Sequence, residues 1–364
     1  MGGQPHPAPP ALSGRAGFTA EGGRNHRFGD GEAQGRFPRR PAYAAIDLGT
    51  NNCRLLIARP DGDAFVIIDA FSRIVRLGEG LSASGRISES AMQRAVDALA
   101  VCADKISRRR VQLSRAVATE ACRQAANGAE FVARVRQHTG IQLDIISPQE
   151  EARLAMIGCH QLLEAGEGPA LIFDIGGGST ELILVDDRAG EPQILDWQSI
   201  AWGVVSLTES QIHDSFDANA RATAYAAMRA QVRSAFGSVA QRLAARHHGH
   251  RPQRLRLLGT SGTVTTLASL YLDLPSYDRR AVDGMIVTAA DMRQLCGRLA
   301  DLSHAEREAL PCVGRERADL VVAGCAVLEE ICDIWPAERM GVADRGIREG
   351  VLRQLMHGRA RGRA

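Results

Sequence analysis

The chain has 364 residues, enough for two domains and a sizeable core, and its 45% hydrophobic and 24% charged content is that of an ordinary globular protein. Its 44 basic and 42 acidic side chains leave a formal charge of +2, which excludes bulk attraction to nucleic acid or a membrane surface; an anionic ligand must be gripped by a local site. No secretory signal or membrane-length apolar run is visible. The eight cysteines contain no C-x-x-C pair, so a reduced, cytoplasmic setting with cysteines as small core residues is expected. Lys105 is the sole lysine; arginine supplies every other basic side chain, a bias that suits planar contact with phosphate and that a GC-rich genome also produces.

Residues 1–41 hold six of the 14 prolines and nine of the 37 glycines without hydrophobic periodicity, and read as a disordered tail, as do residues 358–364. Between these tails strands and helices alternate, which predicts an α/β core. Strand-like runs at 44–47 and 55–58 flank a turn. Ser88 caps a helix over 89–106 whose Met92, Ala95, Val96, Leu99 and Ala103 share a face. A strand over 111–118, a helix over 130–138 stopped by Gly140, and a short strand over 143–146 come next. Ser147-Pro148 opens another helix. The stretch LIFDIGGGSTELILV (171–185) is a hairpin with more glycine than its turn needs, and LRLLGTSGTVTTLASL (255–270) reads as strand, tight turn, helix.

An internal repeat organises these elements. AAIDLGTNNCRLLIA (44–58) lies over IFDIGGGSTELILV (172–185) at an offset of 127 residues. Asp47 falls on Asp174, Gly49 on Gly176, Asn52 on Ser179 and Arg54 on Glu181. Two similar units whose hairpins face each other would form a ligand cleft. Turns without Cβ atoms let N–H groups converge on an anion, and Ser179, Thr180, Asn51 and Asn52 add side-chain donors. Asp174 and Glu181 would repel a phosphate unless a cation stood between, which points to Mg²⁺ held by one or two carboxylates, water and phosphate oxygens. A glycine-rich hairpin with incidental acids is the plain alternative for a single copy; the second copy speaks against it.

In SPQEEARL (147–154) Ser147 is the N-cap, and Glu150, three residues on, has the capping-box place. Glu151 sits about 100° further round the helix. It is free to take a proton from water, against the alternative of a first-turn acid that complements the helix dipole. Arg123 in ATEACRQAANG (118–128) is placed to point into the cleft or else to be a solvated helix charge. HHGH (247–250) reads as a loop, Cys159-His160 as a packed helix pair, and Arg108–Arg110 as a solvated helix end. No Walker loop is present, because Lys105 has no glycine loop before it.

Together these stretches, with RLGEGL (76–81), GRERADLVVAG (314–324) and DRGIREGVL (344–352), resemble the exopolyphosphatase/guanosine pentaphosphate phosphohydrolase (Ppx/GppA) family from about Tyr43 to Met356. The resemblance implies two actin-like (ribonuclease H-like) domains around a central cleft. Domain I is expected at 42–157, completed by a C-terminal helix at about 346–357, and domain II at 158–345. No additional C-terminal helical domain is expected, since longer members carry one beyond the point where this chain stops. By position the family's catalytic glutamate falls on Glu151 and its arginine on Arg123; Asp174 and Glu181 fall on metal-binding places. Phosphate-binding places fall on Asp47, Asn51, Asn52, Arg54, Gly176, Gly177, Gly178 and Ser179, joined by Gly262 and Thr263 of the third glycine turn. Family members usually have serine at the place of Asn52 and a glycine pair at the place of Ser261-Gly262. The implied activity is release of terminal orthophosphate from polyphosphate with Mg²⁺ and water, with pppGpp hydrolysis or non-catalytic alarmone binding as alternatives. An actin-like ATPase or sugar kinase is the competing class. Nucleic acid and membrane are not expected partners, and a homodimer is left open.

Overall fold

A computed structural model describes residues 40–361 apart from 167, 189–191, 212, 214–216 and 248–254; the expectations for 1–39, for most of HHGH and for 362–364 lie outside the described residues. The first half contains β1 (Tyr43–Leu48), β2 (Asn52–Asp61), β3 (Ala64–Ile74), α1 (Leu81–Ser84), α2 (Glu89–Arg108), β4 (Leu113–Ala118), α3 (Glu120–Gln124), α4 (Gly128–Thr139), β5 (Leu143–Ile145) and α5 (Pro148–Cys159). The second contains β6 (Ala170–Ile175), β7 (Thr180–Asp186), β8 (Gln193–Ile200), α6 (Val204–Ser210), α7 (Ala218–His247), β9 (Arg256–Thr260), α8 (Gly262–Tyr271), α9 (Arg279–Val282), β10 (Ile286–Thr288), α10 (Ala289–Asp301), α11 (His304–Glu308), α12 (Val321–Ile334) and β11 (Arg339–Ala343). The final helix is α13 (Ile347–Arg361).

Local rules account for most boundaries. The Ser88 hydroxyl accepts the Ala91 N–H at the start of α2, and Met92, Ala95, Val96, Leu99 and Cys102 are buried on one face. Gly140 stops α4 with φ 70°. Strand β4 starts at Leu113 rather than 111, because the chain leaving α2 passes through a left-handed Arg110 with φ 51° and needs two more residues to reach the sheet. Helix α13 continues to Arg361, past the expected end near 357. The Arg and Ala that follow Gly358 are strong helix formers, and one glycine does not stop them. The expected domain boundary at 157/158 falls inside α5, which spans the junction instead of ending at it.

The strands form two sheets, ordered β3-β2-β1-β4-β5 and β10-β11-β9-β6-β7-β8. In each half an antiparallel meander of three strands is joined by a parallel strand on the far side of the first, β4 beside β1 and β9 beside β6. This is the ribonuclease H-like order, present twice. The duplication extends to detail: a register slip between Ile57 and Ala58 recurs between Leu184 and Val185, at the same 127-residue offset.

Three apolar clusters hold the molecule. One packs α2 and α4 on the outer face of the first sheet, and one packs α7, α8, α10 and α12 on the outer face of the second. The third lies between the sheets, around α5 and α13, and takes Tyr43, Ala45, Leu56 and Ala58 from the first and Ile172, Ile183 and Val185 from the second. Helix α13 thus returns to pack on α5 and against β1, β2 and β4. A Cβ on Gly158 would meet the Gly346 carbonyl oxygen at 1.9 Å, so only glycine permits this approach.

Candidate active site

Strand parity determines which side chains reach the cleft. Side chains alternate across a strand, so Asp47 shares the inward face with Tyr43 and Ala45, and Arg54 shares it with Leu56 and Ala58. In the second half Asp174 follows Ile172, and Glu181 precedes Ile183 and Val185, on the equivalent face. Asp47 is paired in register with Arg54, and Asp174 with Glu181, at the turn end of each hairpin. Each turn closes the same way: Gly49 N–H donates to Asn52 O and Gly176 N–H to Ser179 O, both at 2.9 Å. The seven-residue spacing is therefore that of two facing positions across a four-residue turn.

The two hairpins meet at a cavity of about 130 Å³. Asp47, Asn51, Asn52, Arg54, Glu151, Asp174, Gly176, Gly177, Gly178, Ser179, Glu181, Gly262 and Thr263 all line it. Arg123 does not; it stands behind the wall, as described below.

The glycines face the opposite turn. A Cβ on Gly177 would lie 2.9 Å from Thr50 Cβ and 3.1 Å from the Asn51 nitrogen. One on Gly178 would lie 2.8 Å from Thr50 Oγ1 and 3.2 Å from Glu120 Cγ. The space they leave is filled by the other half of the molecule. The Gly176 N–H is already spent in its own turn, so it is no donor to an anion; the Gly177, Gly178 and Ser179 amides make no hydrogen bond among the described residues. The Ser179 hydroxyl donates to Glu181 Oε1 at 2.7 Å, and the Ser199 hydroxyl donates to the same oxygen at 2.9 Å. Ser179 therefore orients an acid with its side chain and has only its amide to offer a ligand.

The acids are held above their ordinary range. Burial pushes Asp174 up to about 8, with Glu181 adding to the effect and Arg54 opposing it. Burial also raises Asp47, against Arg54 and Arg348, and raises Glu181, against the two serine hydroxyls. Glu151 is raised well above the usual carboxylate value by burial and then by Glu181, although Arg123 pulls the other way. Asp47, Asp174 and Glu181 make no ion pair among the described residues. The cations nearby are equally unspent. The Arg54 side chain makes neither ion pair nor hydrogen bond among the described residues, and its Nη2 lies 3.9 Å from where a Cβ of Gly262 would stand. Arg317 donates to Thr266 Oγ1 at 3.0 Å and has no acidic partner among the described residues; burial and Arg54 both lower its affinity for its proton. Acids and half-buried arginines share one small cavity without closing into ion pairs among the described residues.

Two further groups wait for a partner there. The Oδ1 of Asn51 is buried without a hydrogen bond among the described residues. At the start of α8, Ser261 Oγ accepts the Val264 N–H at 3.1 Å, and the amides of Gly262 and Thr263 make no hydrogen bond among the described residues at the positive end of the helix dipole.

Helix α5 carries Glu151 as predicted, but not every detail around it. Ser147 Oγ accepts the Glu150 N–H at 3.2 Å. The Glu150 carboxylate does not return to the cap. It accepts from Arg115 of β4 at 3.1 Å and from Arg153 at 2.8 and 3.1 Å, so its structural task is an ion-pair network. Arg123 is a bracket: Nη1 donates to Glu151 Oε2 at 2.7 Å and to Ile146 O at 2.9 Å, while Nε and Nη2 donate to Glu120 Oε2 at 3.0 and 2.6 Å. With most donors engaged, it orients Glu151 instead of reaching the cavity. Sequence reasoning passed over Thr50, Glu120 and Arg317; only the GRER stretch at 314–317 hinted at the last. Elsewhere, Cys159 is a buried helix end, His160 Nδ1 contacts Met156 O at 3.1 Å, and Lys105 pairs with Asp69 at 2.8 Å.

Comparisons with known proteins agree with this architecture. The sequence model of the Ppx/GppA phosphatase family matches residues 56–359. Exopolyphosphatase 2 of Mycobacterium tuberculosis is 31% identical over 328 residues, which is 86% of this chain and 98% of that protein. A guanosine-5'-triphosphate,3'-diphosphate pyrophosphatase of Aeromonas salmonicida is 30% identical over 87% of this chain, and the match spans 60% of that longer protein. The crystal structure of an exopolyphosphatase from Cytophaga hutchinsonii aligns with a TM-score of 0.76 at 26% identity, over 87% of this chain and 98% of that one. The Aquifex aeolicus member of the Ppx/GppA family aligns with a TM-score of 0.69 at 26% identity, over 88% and 98%. This chain belongs to the Ppx/GppA phosphatase family.

Proposed function

We propose that the protein is an exopolyphosphatase, which releases terminal orthophosphate from inorganic polyphosphate by metal-assisted attack of water. The observation that carries this reading is the unresolved charge of the cavity. Among the described residues Asp47, Asp174 and Glu181 form no ion pair with an arginine and Arg54 and Arg317 none with an acid, although they line one cavity and Arg54 lowers Asp47 and Asp174 only in part. Such a set is satisfied by a cation and a polyanion together, and by neither alone.

The donor set fits Mg²⁺. No three Asp, Glu, His or Cys side chains among the described residues converge as a closed metal cage. Mg²⁺ does not need one, since it keeps waters and takes one or two carboxylates with phosphate oxygens. Asp174 and Glu181 would hold it, and when bound it would screen charge on the phosphate oxygens. The remaining tasks belong to the chain. The amides of Gly177, Gly178, Gly262 and Thr263, with Asn51, Asn52, Arg54 and Arg317, bind and orient the end of the phosphate chain. Glu151 takes the proton of the attacking water, its affinity raised by burial toward that task, and Arg123 holds its carboxylate in place. Phosphoryl transfer passes through a loose transition state, so positioning and electrostatics carry most of the acceleration.

The cavity has room for a phosphate end with a few waters, and among the described residues its lining contains no aromatic side chain to stack a base. That favours polyphosphate. Hydrolysis of pppGpp is the second reading, favoured by the similarity to the Aeromonas pyrophosphatase, with its nucleoside outside the cavity. Eight unpaired cysteines fit a reducing, cytoplasmic location, and no helix among the described residues is long and apolar enough to cross a membrane. Orthophosphate release from polyphosphate, pppGpp, ATP and GTP, run in parallel with Mg²⁺, tests the reading. Polyphosphate should be the fastest substrate. Release from ATP alone would support a nucleotidase, and no release from any would support a binding protein.

A further inference from the structure

The two halves also touch away from the catalytic cavity. A second cavity of about 430 Å³ shares Thr50, Glu120 and Gly178 with the first, and its other walls are the turn at Gly78 and helix α1 with part of α3 in the first half, and Ala201, Trp202 and α6 in the second. On its rim, Glu209 of α6 reaches across: Oε1 accepts the Gly80 N–H at 2.8 Å and Oε2 accepts the Ser82 hydroxyl. A few residues earlier, Arg76 Nη2 lies 3.1 Å from Asp319 Oδ2, again in the second half.

The 76–82 loop is also bonded to the first turn of the active site. Thr50 O accepts the Gly78 N–H at 2.9 Å, and Asn51 O accepts the N–H groups of Val75 at 2.8 Å and Arg76 at 3.0 Å. Arg76 has φ 46°, a left-handed conformation that a non-glycine residue keeps only where its surroundings hold it. The same turn presses Thr50 against Gly177 and Gly178 and carries the unpartnered Asn51 Oδ1. A displacement of the loop is therefore a displacement of the phosphate-binding turn.

We propose that Glu209 is a positioning residue of the active site. It holds the 76–82 loop across the cleft and thereby fixes the Thr50–Asn51 turn against the glycine turn, without touching substrate. Glu209, Gly80 and Ser82 are exposed, so the contribution comes through two hydrogen bonds and not through a buried charge. The kinetic part of the proposal rests on the phosphohydrolase reading.

Glu209→Gln and Glu209→Ala separate bonding from charge. The amide oxygen can still accept the Gly80 N–H and the amide nitrogen can donate to Ser82, whereas alanine removes both bonds. When the binding-competent arrangement is populated only part of the time, apparent affinity falls by that fraction while turnover at saturation is kept. The expected result is a polyphosphate KM raised on the order of three- to tenfold in Glu209→Ala with kcat within about twofold, and near-wild-type values for Glu209→Gln. Hydrogen exchange of the 76–82 amides should quicken in the alanine variant only. A fall in kcat at unchanged KM, a glutamine variant as impaired as alanine, or unchanged exchange in Glu209→Ala would each overturn the proposal. The exchange measurement needs no turnover, so a wild type that hydrolyses no polyphosphate refutes the functional reading without touching the anchor. Should Glu209→Ala not fold, Ser82→Ala removes one bond from the exposed side, and an unchanged KM and exchange rate there would sink the idea.

Discussion

Glu151→Gln is the substitution that bears most directly on the chemistry. Glu151 is buried on the cavity wall, and its single ion pair among the described residues is the 2.7 Å bond from Arg123. Glutamine is nearly isosteric and its carbonyl oxygen can still accept that bond, so the local geometry should persist. An amide cannot accept the proton of the attacking water. Removing a general base costs on the order of 10²–10⁴ in rate, or about 3–5 kcal/mol of barrier. Substrate affinity should hold or tighten, since one negative charge facing a polyanion disappears. Glu150→Gln is the control. Glu150 is part-exposed and pairs with Arg115 and Arg153 away from the cavity, so its loss should cost about 0.5–1 kcal/mol of stability and leave turnover nearly intact. The assay is initial-rate phosphate release and equilibrium polyphosphate binding for both variants, with thermal unfolding alongside. A Glu151→Gln enzyme with near-wild-type turnover, or a folded Glu150→Gln enzyme that is inactive, would show that the base has been assigned to the wrong carboxylate.

Asp174→Asn should raise the Mg²⁺ concentration for half-maximal rate; an unchanged titration with a lowered rate would take the acid out of metal binding. The folded value of Asp174, about 8, lies above its ordinary 3.8, so its contribution to stability is full below about 3.8 and is lost as pH rises toward 8. Metal-free wild type should therefore lose stability over that window, by a few kcal/mol at most given residual solvent access, while Asp174→Asn stays flatter in urea titrations. Arg123→Ala should lower kcat and move the acidic limb of the pH–rate profile upward, because Arg123 is the influence that keeps Glu151 lower; a limb that stays in place would mean another group titrates. Gly178→Ala should raise KM severalfold, since its Cβ would stand 2.8 Å from Thr50 Oγ1, and Thr50→Ala should recover part of the loss; no recovery would place the clash elsewhere.

The fold was legible because its signal is local and occurs twice. Strand, acid, small-residue turn and strand fall within fifteen residues in each copy, and alternation along the strands decides which acids face inward. The helix start at Ser147 was equally local. Long-range pairing was not legible. Glu150 occupies a capping-box position by spacing, but Arg115 arrives from a neighbouring strand and offers a stronger, charged partner. Arg123 was expected in the cleft, yet Glu120 and Glu151 close on it from two elements and use up its donors. Nothing near GRER in the chain says that Arg317 meets Arg54 beside α8. The excess glycine was read as room for an anion, and the structure adds a non-local cause, the close approach of Thr50 and Glu120 from the other half.

The departure from symmetry explains how two copies of one hairpin form a site that neither could form alone. Register places Asp47 opposite Arg54 in the first hairpin and Asp174 opposite Glu181 in the second, so the two turns share a backbone and differ by one charge reversal. With arginine in both, the cleft would bind anions and have no place for a metal. With glutamate in both, four buried acids would face the phosphate, and each would be driven toward its neutral form by the others. One of each separates the tasks. The second hairpin sets two acids face to face, which under the proposed function would hold a cation. Arg54, although across the ladder from Asp47, forms no ion pair among the described residues and reaches toward the start of α8. An unpaired arginine costs stability in a half-buried cleft, and it is retained where the ligand supplies the missing charge. In the proposed reaction, phosphate between a hairpin whose acids would hold Mg²⁺ and a hairpin that bears arginine would meet positive charge on both sides, an arrangement that stabilises a loose phosphoryl transition state.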